Sequence, residues 1–600
     1  MLRKYGWIGF ISLGFLGILI YLYALQNRAN DETLGEILSF RVSSEMARDS
    51  REVIKCWEEG KTLYVFLPSY ADLSNTEVVL RTQKKCELGG RKLSDGISCE
   101  AFELDVDYEL ILEGYGKRKL RFVRSANVAT MFVNTFSNTM EYLHANKEHK
   151  EQVMLTVYSS EGRVDYQGED GDKIGGHGNS TWQYYEKKPY NLYLKQEANL
   201  LGMEPSDKWV LLANALDESN LRSKLAYDFA NELNNTAKWA PESDYVDLYV
   251  NGEYRGLYLL SEKMEKVARR LLPNAENTLF QLNDQESKLD HPRQAILLND
   301  SPLYAEIAFG GTNAEYAQLE GFLRSLEGNL ATEAWKDCVD VDAFARRYLI
   351  DEIFANTDGG IASQYYFWDH EEDRLCEGPL WDYDSTFGDD TWMKGIVPNS
   401  LFIEDRYPFH ELFQHGEFRE YVERIYQTEC LPRLNALLEE GIPAISQRIE
   451  KAVANNSLRW NSLYTDKESD VASLTSFFSA RVTFLNSAWI DDDPYCKVTF
   501  QAEGCYNPII PRQVPKGSLC QSLPTAGELG IEGYEAWRNL DTGELLDGNA
   551  PITEDIVLHT QKKAKRPAKL YYLAAGIFLI FCLMLMTLIF IDARRERRLA

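Results

Sequence analysis

The chain has 600 residues, 44% of them hydrophobic, 12% aromatic and 26% charged, with a mean hydropathy of -0.36. That composition excludes disorder, a collagen-like fibre and a polytopic membrane protein, and at roughly 100–200 residues per domain it implies about three to five units. The 64 Lys+Arg against 92 Asp+Glu give a formal charge of -28, which argues against a general nucleic-acid binder because such a surface repels phosphates.

The two ends depart from the average. Residues 7–25 and 571–591 are uncharged, and each is long enough to cross the ~30 Å hydrocarbon core as a helix. The first run exceeds a normal signal core and lacks a small-x-small cleavage site, so an uncleaved anchor is favoured over a cleaved signal. Arg3 and Lys4 ahead of it place the N-terminus inside. Two spans then place both termini in the cytoplasm and the main domains outside a cell membrane. The basic cluster Lys562, Lys563, Lys565, Arg566 and Lys569 reads as headgroup contact.

Residues 35–125 predict a β-sandwich: short β-rich runs at 61–69, 77–82, 108–114 and 119–125 are split by Gly, Asn and Asp. Cys56, Cys86 and Cys99 lie here, and one pair can bridge if the compartment is oxidising. Residues 126–490 mix strands and helices. The run 187–195 alternates as a strand. The run 219–233 is helical, with Leu221, Leu225, Phe229 and Leu233 four apart. Residues 245–263 form a hairpin about Asn251-Gly252. Residues 341–358 form an amphipathic helix, 376–388 a strand and turn, and 474–490 a closing helix. Residues 494–561 form a further unit. Its V-x-F strand, Gly533-Tyr534, Trp537, Asp541-x-Gly543 and Pro551-Ile552-Thr553 resemble the Listeria–Bacteroides repeat, a β-grasp-like surface module.

Three features carry chemistry. The loop 174–182 (IGGHGNSTW) is glycine-dense; such loops bring backbone N–H groups to phosphate, although an ordinary turn explains glycines as well. After it, Lys188 shares the two-residue period of Tyr190, Leu192 and Leu194, while Lys187 falls on the opposite face. A lysine on an apolar face wants an acid or an anion, or else snorkels at a strand end. Next, Asp358 follows the 341–358 helix in an Asp-Gly-Gly stretch, a common turn composition. Last, Asp382 and Asp384 are two apart in PLWDYDSTFG, converging on one face opposite Trp381 and Tyr383. Paired carboxylates in an aromatic setting suit a divalent cation or a shared proton; a solvated strand edge is the plain alternative.

In order, GNSTW…KKPYNLYL, KWVLLANALDESNLRSKLAYDFANEL, VDLYVNGEYRGLYLLSEK, DGG…SQYYFW and GPLWDYDSTFG resemble the spore-coat CotH kinase family over about 125–490. The resemblance implies a divergent two-lobed protein-kinase-like core; with the β-sandwich, the β-grasp-like module and the two transmembrane helices read above, the expected fold is α+β. It implies an atypical Ser/Thr protein kinase using ATP and Mg²⁺ on surface or coat proteins. Glycine loop, lysine, helix, hairpin, catalytic Asp and metal Asp also follow one another as in protein kinases. In that reading Gly176, Gly178, Asn179, Ser180 and Thr181 cover the phosphates and Lys188 contacts them. Asp358 takes the substrate proton, Asp382 binds Mg²⁺ with help from Asp384, and Glu262 lies near the hinge. Asp228 or Glu232 is the acidic partner of Lys188. His177 stands where the family usually has Arg, and Gln364 is the substitute for an expected second metal ligand. Two other readings remain: a catalytically weak kinase-like surface interaction protein, and a carboxylate-pair glycosidase or glycosyltransferase using Asp382 and Asp384.

Overall fold

A computed structural model describes residues 33–563, apart from 44–51, 234–239, 265–276, 286–288, 290–294, 299–302, 357, 360–361, 389–395, 402, 461–466, 492–493, 506–508 and 532. The chain divides into two compact units. One holds residues 1–389 and 402–491, the other 390–401 and 492–600.

The larger unit begins with two packed sheets. One runs in the order Ile54–Lys55, Leu38–Ser43, Asp72–Leu80, Gly96–Glu100. The other runs Trp57–Glu59, Thr62–Leu67, Gly116–Arg124, Asp107–Leu112, Cys86–Leu88, Arg91–Leu93. Phe40, Phe66 and Phe122 lie between them.

Next come eight strands: β1 (Ala129–Thr135), β2 (Lys150–Tyr158), β3 (Val164–Gln167), β4 (Lys173–Gly176), β5 (Tyr190–Ala198), β6 (Ser206–Leu212), β7 (Ser243–Val250) and β8 (Glu253–Glu262). Their order is β1-β7-β8-β6-β5-β4-β2, and β2 pairs back onto β1, so seven strands close into a barrel with β3 appended to β2. Alternation fills it: Tyr190, Leu192 and Leu194 of β5 and Val246, Leu248 and Val250 of β7 lie in the barrel core. The intervening Tyr249 belongs to the sandwich core instead. Its ring stacks on Phe132 at 4.8 Å and its hydroxyl donates to the Phe66 carbonyl at 3.1 Å. Barrel and sandwich thus share one apolar layer. The β7–β8 turn is the expected one, with Asn251 at φ 51° and Gly252 at φ 81°.

After the barrel lie α1 (Arg222–Glu232) in the β6–β7 connection and a second sheet of β9 (Thr278–Asn283), β10 (Ile296–Leu297), β11 (Tyr304–Ile307), β12 (Gln364–Asp369) and β13 (Arg374–Glu377), ordered β10-β11-β9-β12-β13. Helices α2 (Asn313–Leu330) and α3 (Val341–Ile353) are inserted in it. A helical run then joins α4 (Gly416–Ile425), α5 (Leu431–Ala436) and α6 (Ile442–Arg459) through π-helical segments Tyr426–Cys430 and Leu437–Gly441. Each π segment ends two residues before a proline, Pro432 and Pro443. Proline supplies no N–H to the preceding turn, and the wider helix absorbs the missing bond. Helix α7 (Lys467–Trp489) closes the unit.

The smaller unit is a four-stranded sheet, Arg512–Pro515, Tyr495–Ala502, Ile556–Thr560, Arg538–Asn539, with Tyr534 and Trp537 in its core. The nine described cysteines are all unbridged.

The fold is α+β and predominantly sheet. The expectation of two transmembrane helices is corrected: no helix among the described residues is long and apolar enough to cross a membrane. Residues 7–25 and 571–591, which carried that expectation, lie outside the described residues.

Two outcomes follow. At Gly256, φ is +101° and an added Cβ would meet Asn456 Oδ1 at 2.3 Å. Gly256→Ala should cost at least about 1–3 kcal/mol for the backbone alone, read from denaturant midpoints. Asp247, fully buried and accepting from the Tyr254 hydroxyl at 2.8 Å, is pushed by burial from 3.8 up to about 7. A carboxyl raised in the folded state contributes stability below its unfolded value, lost as pH climbs through the folded one. Asp247→Asn should therefore flatten the fall in unfolding free energy between about pH 4 and pH 7.

Candidate active site

Helix α3 carries charges at 346, 347, 351 and 352. Every residue of α3 from Ala343 to Ile353 is buried, these four included. Arg347 is the centre. Its Nε donates to Asp351 Oδ2 at 2.7 Å, Nη1 to Glu377 Oε1 and the Pro379 carbonyl at 3.3 Å each, and Nη2 to Gln364 Oε1 at 3.0 Å. Asp351 Oδ1 also accepts from Asn356 Nδ2 at 2.8 Å and from the Tyr383 hydroxyl. Burial pushes Glu377 up to about 8, and the Arg347 guanidinium opposes that shift. One turn on, Glu352 accepts from Arg481 at 2.5 Å and from the Ile403 N–H at 2.9 Å. These bonds tie α3 to three loops, and the candidate site lies on them.

Asp358 is half-buried just beyond α3, its carbonyl accepting from the Ala362 N–H at 2.9 Å. Ser363, one residue on, donates to Asp382 Oδ2 at 2.9 Å. The loops bearing Asp358 and Asp382 are thereby joined. Residues 378–388 are not the expected strand; β13 stops at Glu377. An added Cβ at Gly378 would sit 2.4 Å from the Tyr365 carbonyl. Side chains still alternate: Tyr383 is buried, Asp382 exposed and Asp384 half-buried. Ala355, Ser363, Asp382 and Phe387 have φ of 51°, 51°, 66° and 55°. Four non-glycine residues in the left-handed region, gathered on these loops, are strain of the kind found at functional sites. Tyr227 of α1 reaches this point: burial raises its hydroxyl, and Asp382 and Asp384 raise it further. Arg406 Nη1 donates to the Gly359 carbonyl, and Asp358 is foremost among the carboxylates that oppose the effect of its burial.

The glycine loop meets Trp381, the residue before Asp382. The His177 ring lies edge-on to Trp381, centroids 6.0 Å apart. Burial pushes His177 down to about 4, so it is neutral. Gly176 packs on the Lys147 backbone, where an added Cβ would stand 2.8 Å from its carbonyl. Lys147 Nζ donates to Asn179 Oδ1 at 2.8 Å, and Asn191 Nδ2 to the Gly176 carbonyl at 2.6 Å. Asn179 directly precedes the short helix Ser180–Tyr184, which contains Ser180 and Thr181, without a side-chain cap bond; Gly178 ahead of it has φ 72°. On the Asn191 face of β5, Lys150 and Lys263 lie 3.9 and 5.1 Å from the centroid of the Tyr193 ring.

Lys188 is elsewhere. Strand β5 begins at Tyr190, and the face shared by Tyr190, Leu192 and Leu194 is the interior of a closed barrel. Lys188 Nζ donates to the Trp182 carbonyl at the barrel mouth. Lys187 is the fully buried one, donating to the Leu257 carbonyl at 2.6 Å with Asp247 and Asp217 nearby. Asp228 bonds Lys224 at 2.6 Å and Glu232 is exposed. The Glu262 carboxylate accepts from the Glu242 N–H at 2.7 Å. Gln364 is buried against Arg347, which removes it as a metal ligand. Lys263 closes the 245–263 hairpin block, next to Glu262 and in the expected hinge region. Lys150 and Arg406 were not anticipated; no motif marks them, and only the fold brings them here.

Among the described residues no group of three or more His, Cys, Asp and Glu is placed to hold a metal ion. Asp382 and Asp384 are a pair, and Mg²⁺ is commonly held by one or two carboxylates with phosphates and waters completing its shell. The two residues fit that role.

Residues 174–485, which contain the groups just described except Lys147 and Lys150, match the family model for CotH kinase protein. The chain belongs to the CotH kinase protein family. Over 303 residues it is 25% identical to inner spore coat protein H of Bacillus subtilis (strain 168), covering 48% of this chain and 79% of that protein.

In this CotH-family core, Arg347→Met should leave Asp351 and Glu377 buried without their cation. A loss of about 3–5 kcal/mol is expected from urea unfolding, with Tyr383→Phe milder at about 1–3 kcal/mol.

Proposed function

We propose that this chain is a CotH-type protein kinase that transfers the terminal phosphoryl group of ATP to Ser or Thr hydroxyls of surface or coat proteins. The observation that carries the reading is the meeting of three loops. His177 of the glycine loop touches Trp381, the neighbouring Asp382 is bonded by Ser363, and Ser363 continues the loop of Asp358. Kinase catalysis needs little beyond positioning and charge stabilisation, and these are the parts that supply it.

In this proposal Asp358 accepts the substrate hydroxyl proton. Asp382 and Asp384 hold Mg²⁺, which neutralises phosphate charge when bound. The backbone from Gly176 to Thr181 borders the phosphates. Lys263, near enough to His177 to lower its pKa, takes the phosphate contact expected of Lys188. Glu262 fixes the strand end from which Lys263 extends, and Arg406 holds the Asp358 loop. The relative's coat name supports a protein substrate and a coat or surface location for this chain.

A second reading is favoured by Gln364. With that side chain held by Arg347, two carboxylates remain for metal, and such a core can bind nucleotide without transfer. Labelled ATP and Mg²⁺ with the purified chain separate the two. Asp358→Asn should reduce phosphate incorporation by about 10²-fold or more while nucleotide binding persists. Asp382→Asn should lose both transfer and Mg²⁺-dependent binding. Labelling by both variants at the wild-type level would overturn the kinase assignment; binding without any transfer by the wild type would establish the second reading.

A further inference from the structure

On the sandwich side of the barrel, cations gather with few carboxylates to balance them. Arg459, at the end of α6, has its guanidinium 3.6 Å from the Trp57 ring centroid and 4.1 Å from that of Trp460. Its Nε donates to the Tyr254 carbonyl at 3.0 Å. Among the described residues no carboxylate lies within ion-pair reach of it. Arg255, just after the β7–β8 turn, is placed by the Trp460 indole N–H, which donates to the Arg255 carbonyl at 2.8 Å. Its only ion pair among the described residues is to Glu253 at 3.5 Å, and Glu253 is 47% exposed.

Two donors here are buried and unmatched. Among the described residues Arg255 Nε and Trp57 Nε1 have no hydrogen-bond partner. Buried N–H groups are rarely left so, because each costs about 1–3 kcal/mol when unpaired. Both orphans are donors, and both border guanidinium groups, so what is missing is an acceptor carrying negative charge. The cations also act on one another. Burial and then Arg255 push Arg459 down to about 10, and burial followed by Arg255 and Lys188 pushes His144 down to about 4. In a chain of charge -28, such a cluster of cations stands out, with Glu253 and Glu186 offsetting part of it at Arg459.

We propose that Arg255, Arg459 and Trp57 form a binding site for a phosphate-class oxyanion, separate from the Asp358–Asp382 site. Arg255 offers Nε and the guanidinium edge, Trp57 its indole N–H, and Arg459 the charge behind them. Guanidinium forks match phosphate oxygens in geometry and charge. The half-buried Arg255, its side chain 16% exposed, is the way in from solvent. The oxyanion can be free phosphate or a phosphorylated side chain of a protein.

Calorimetric titration of the full chain with inorganic phosphate, and separately with a phosphoserine peptide and its unphosphorylated form, tests this at constant ionic strength. Phosphate should bind, and Arg255→Gln should weaken it about tenfold or more. Trp57→Phe removes one N–H while keeping the ring, and should weaken it by a smaller factor. Mg·ATP binding should be unchanged in both variants. A phosphopeptide that binds tighter than phosphate, while its unphosphorylated form does not bind, identifies a phosphorylated protein as the source. Equal affinities identify free phosphate. No binding of either, or binding unaffected by Arg255→Gln in a variant that melts like the wild type, overturns the site.

Discussion

The site depends on a cation that water never reaches. Arg347 is fully buried inside α3 and is held by Asp351, with Glu377, Gln364 and the Pro379 carbonyl completing its donors. A buried ion pair is a poor source of net stability, because desolvation offsets most of the attraction. It is a strong source of geometry, since each unpaired alternative is costly. Here it fixes where α3, β12, β13 and the Tyr383 loop meet, and the candidate catalytic groups sit on the segments leaving that junction. Glu352 with Arg481 repeats the device one residue along.

Around that junction the sheets do a different task. The barrel has an apolar interior and an aromatic exterior on β7, where it borders the sandwich. The outer face of β5 presents Asn191 and Tyr193 with Lys150 and Lys263 beside it. One strand therefore serves core and site on alternate residues. The proposed oxyanion site lies where β8, α6 and the sandwich strand of Trp57 converge, so it belongs to the packing of these elements and not to the nucleotide cleft.

Much of this was legible in the sequence because it rests on local periods. Strand alternation, the Asn251-Gly252 turn and the four-residue spacing in 219–233 all appear at those positions, to within a few residues. The family was legible from separate blocks in fixed order. What failed did so for reasons of topology. The two-residue period put Lys188 on the apolar face with Tyr190, but the strand starts only at Tyr190, Lys187 is the buried lysine, and nothing local tells a cleft face from the inside of a closed barrel. The buried charges of α3 carry no local signal, because two of their partners, Glu377 and Arg481, lie far along the chain. The strand expected at 376–388 gave way to a loop because Asp382 and Phe387 adopt left-handed backbone. Arg406, 48 residues after Asp358, carries no signature at all.

The closed barrel has a mechanical consequence. A sheet with free edges bends and shears cheaply, because its outermost strands lack a neighbour on one side. In this chain β1 and β2 are bonded to each other, so seven strands resist deformation as a hoop does. Compliance is then left to the connections between the hoop and the helices, and above all to the short segments carrying Asp358 and Asp382.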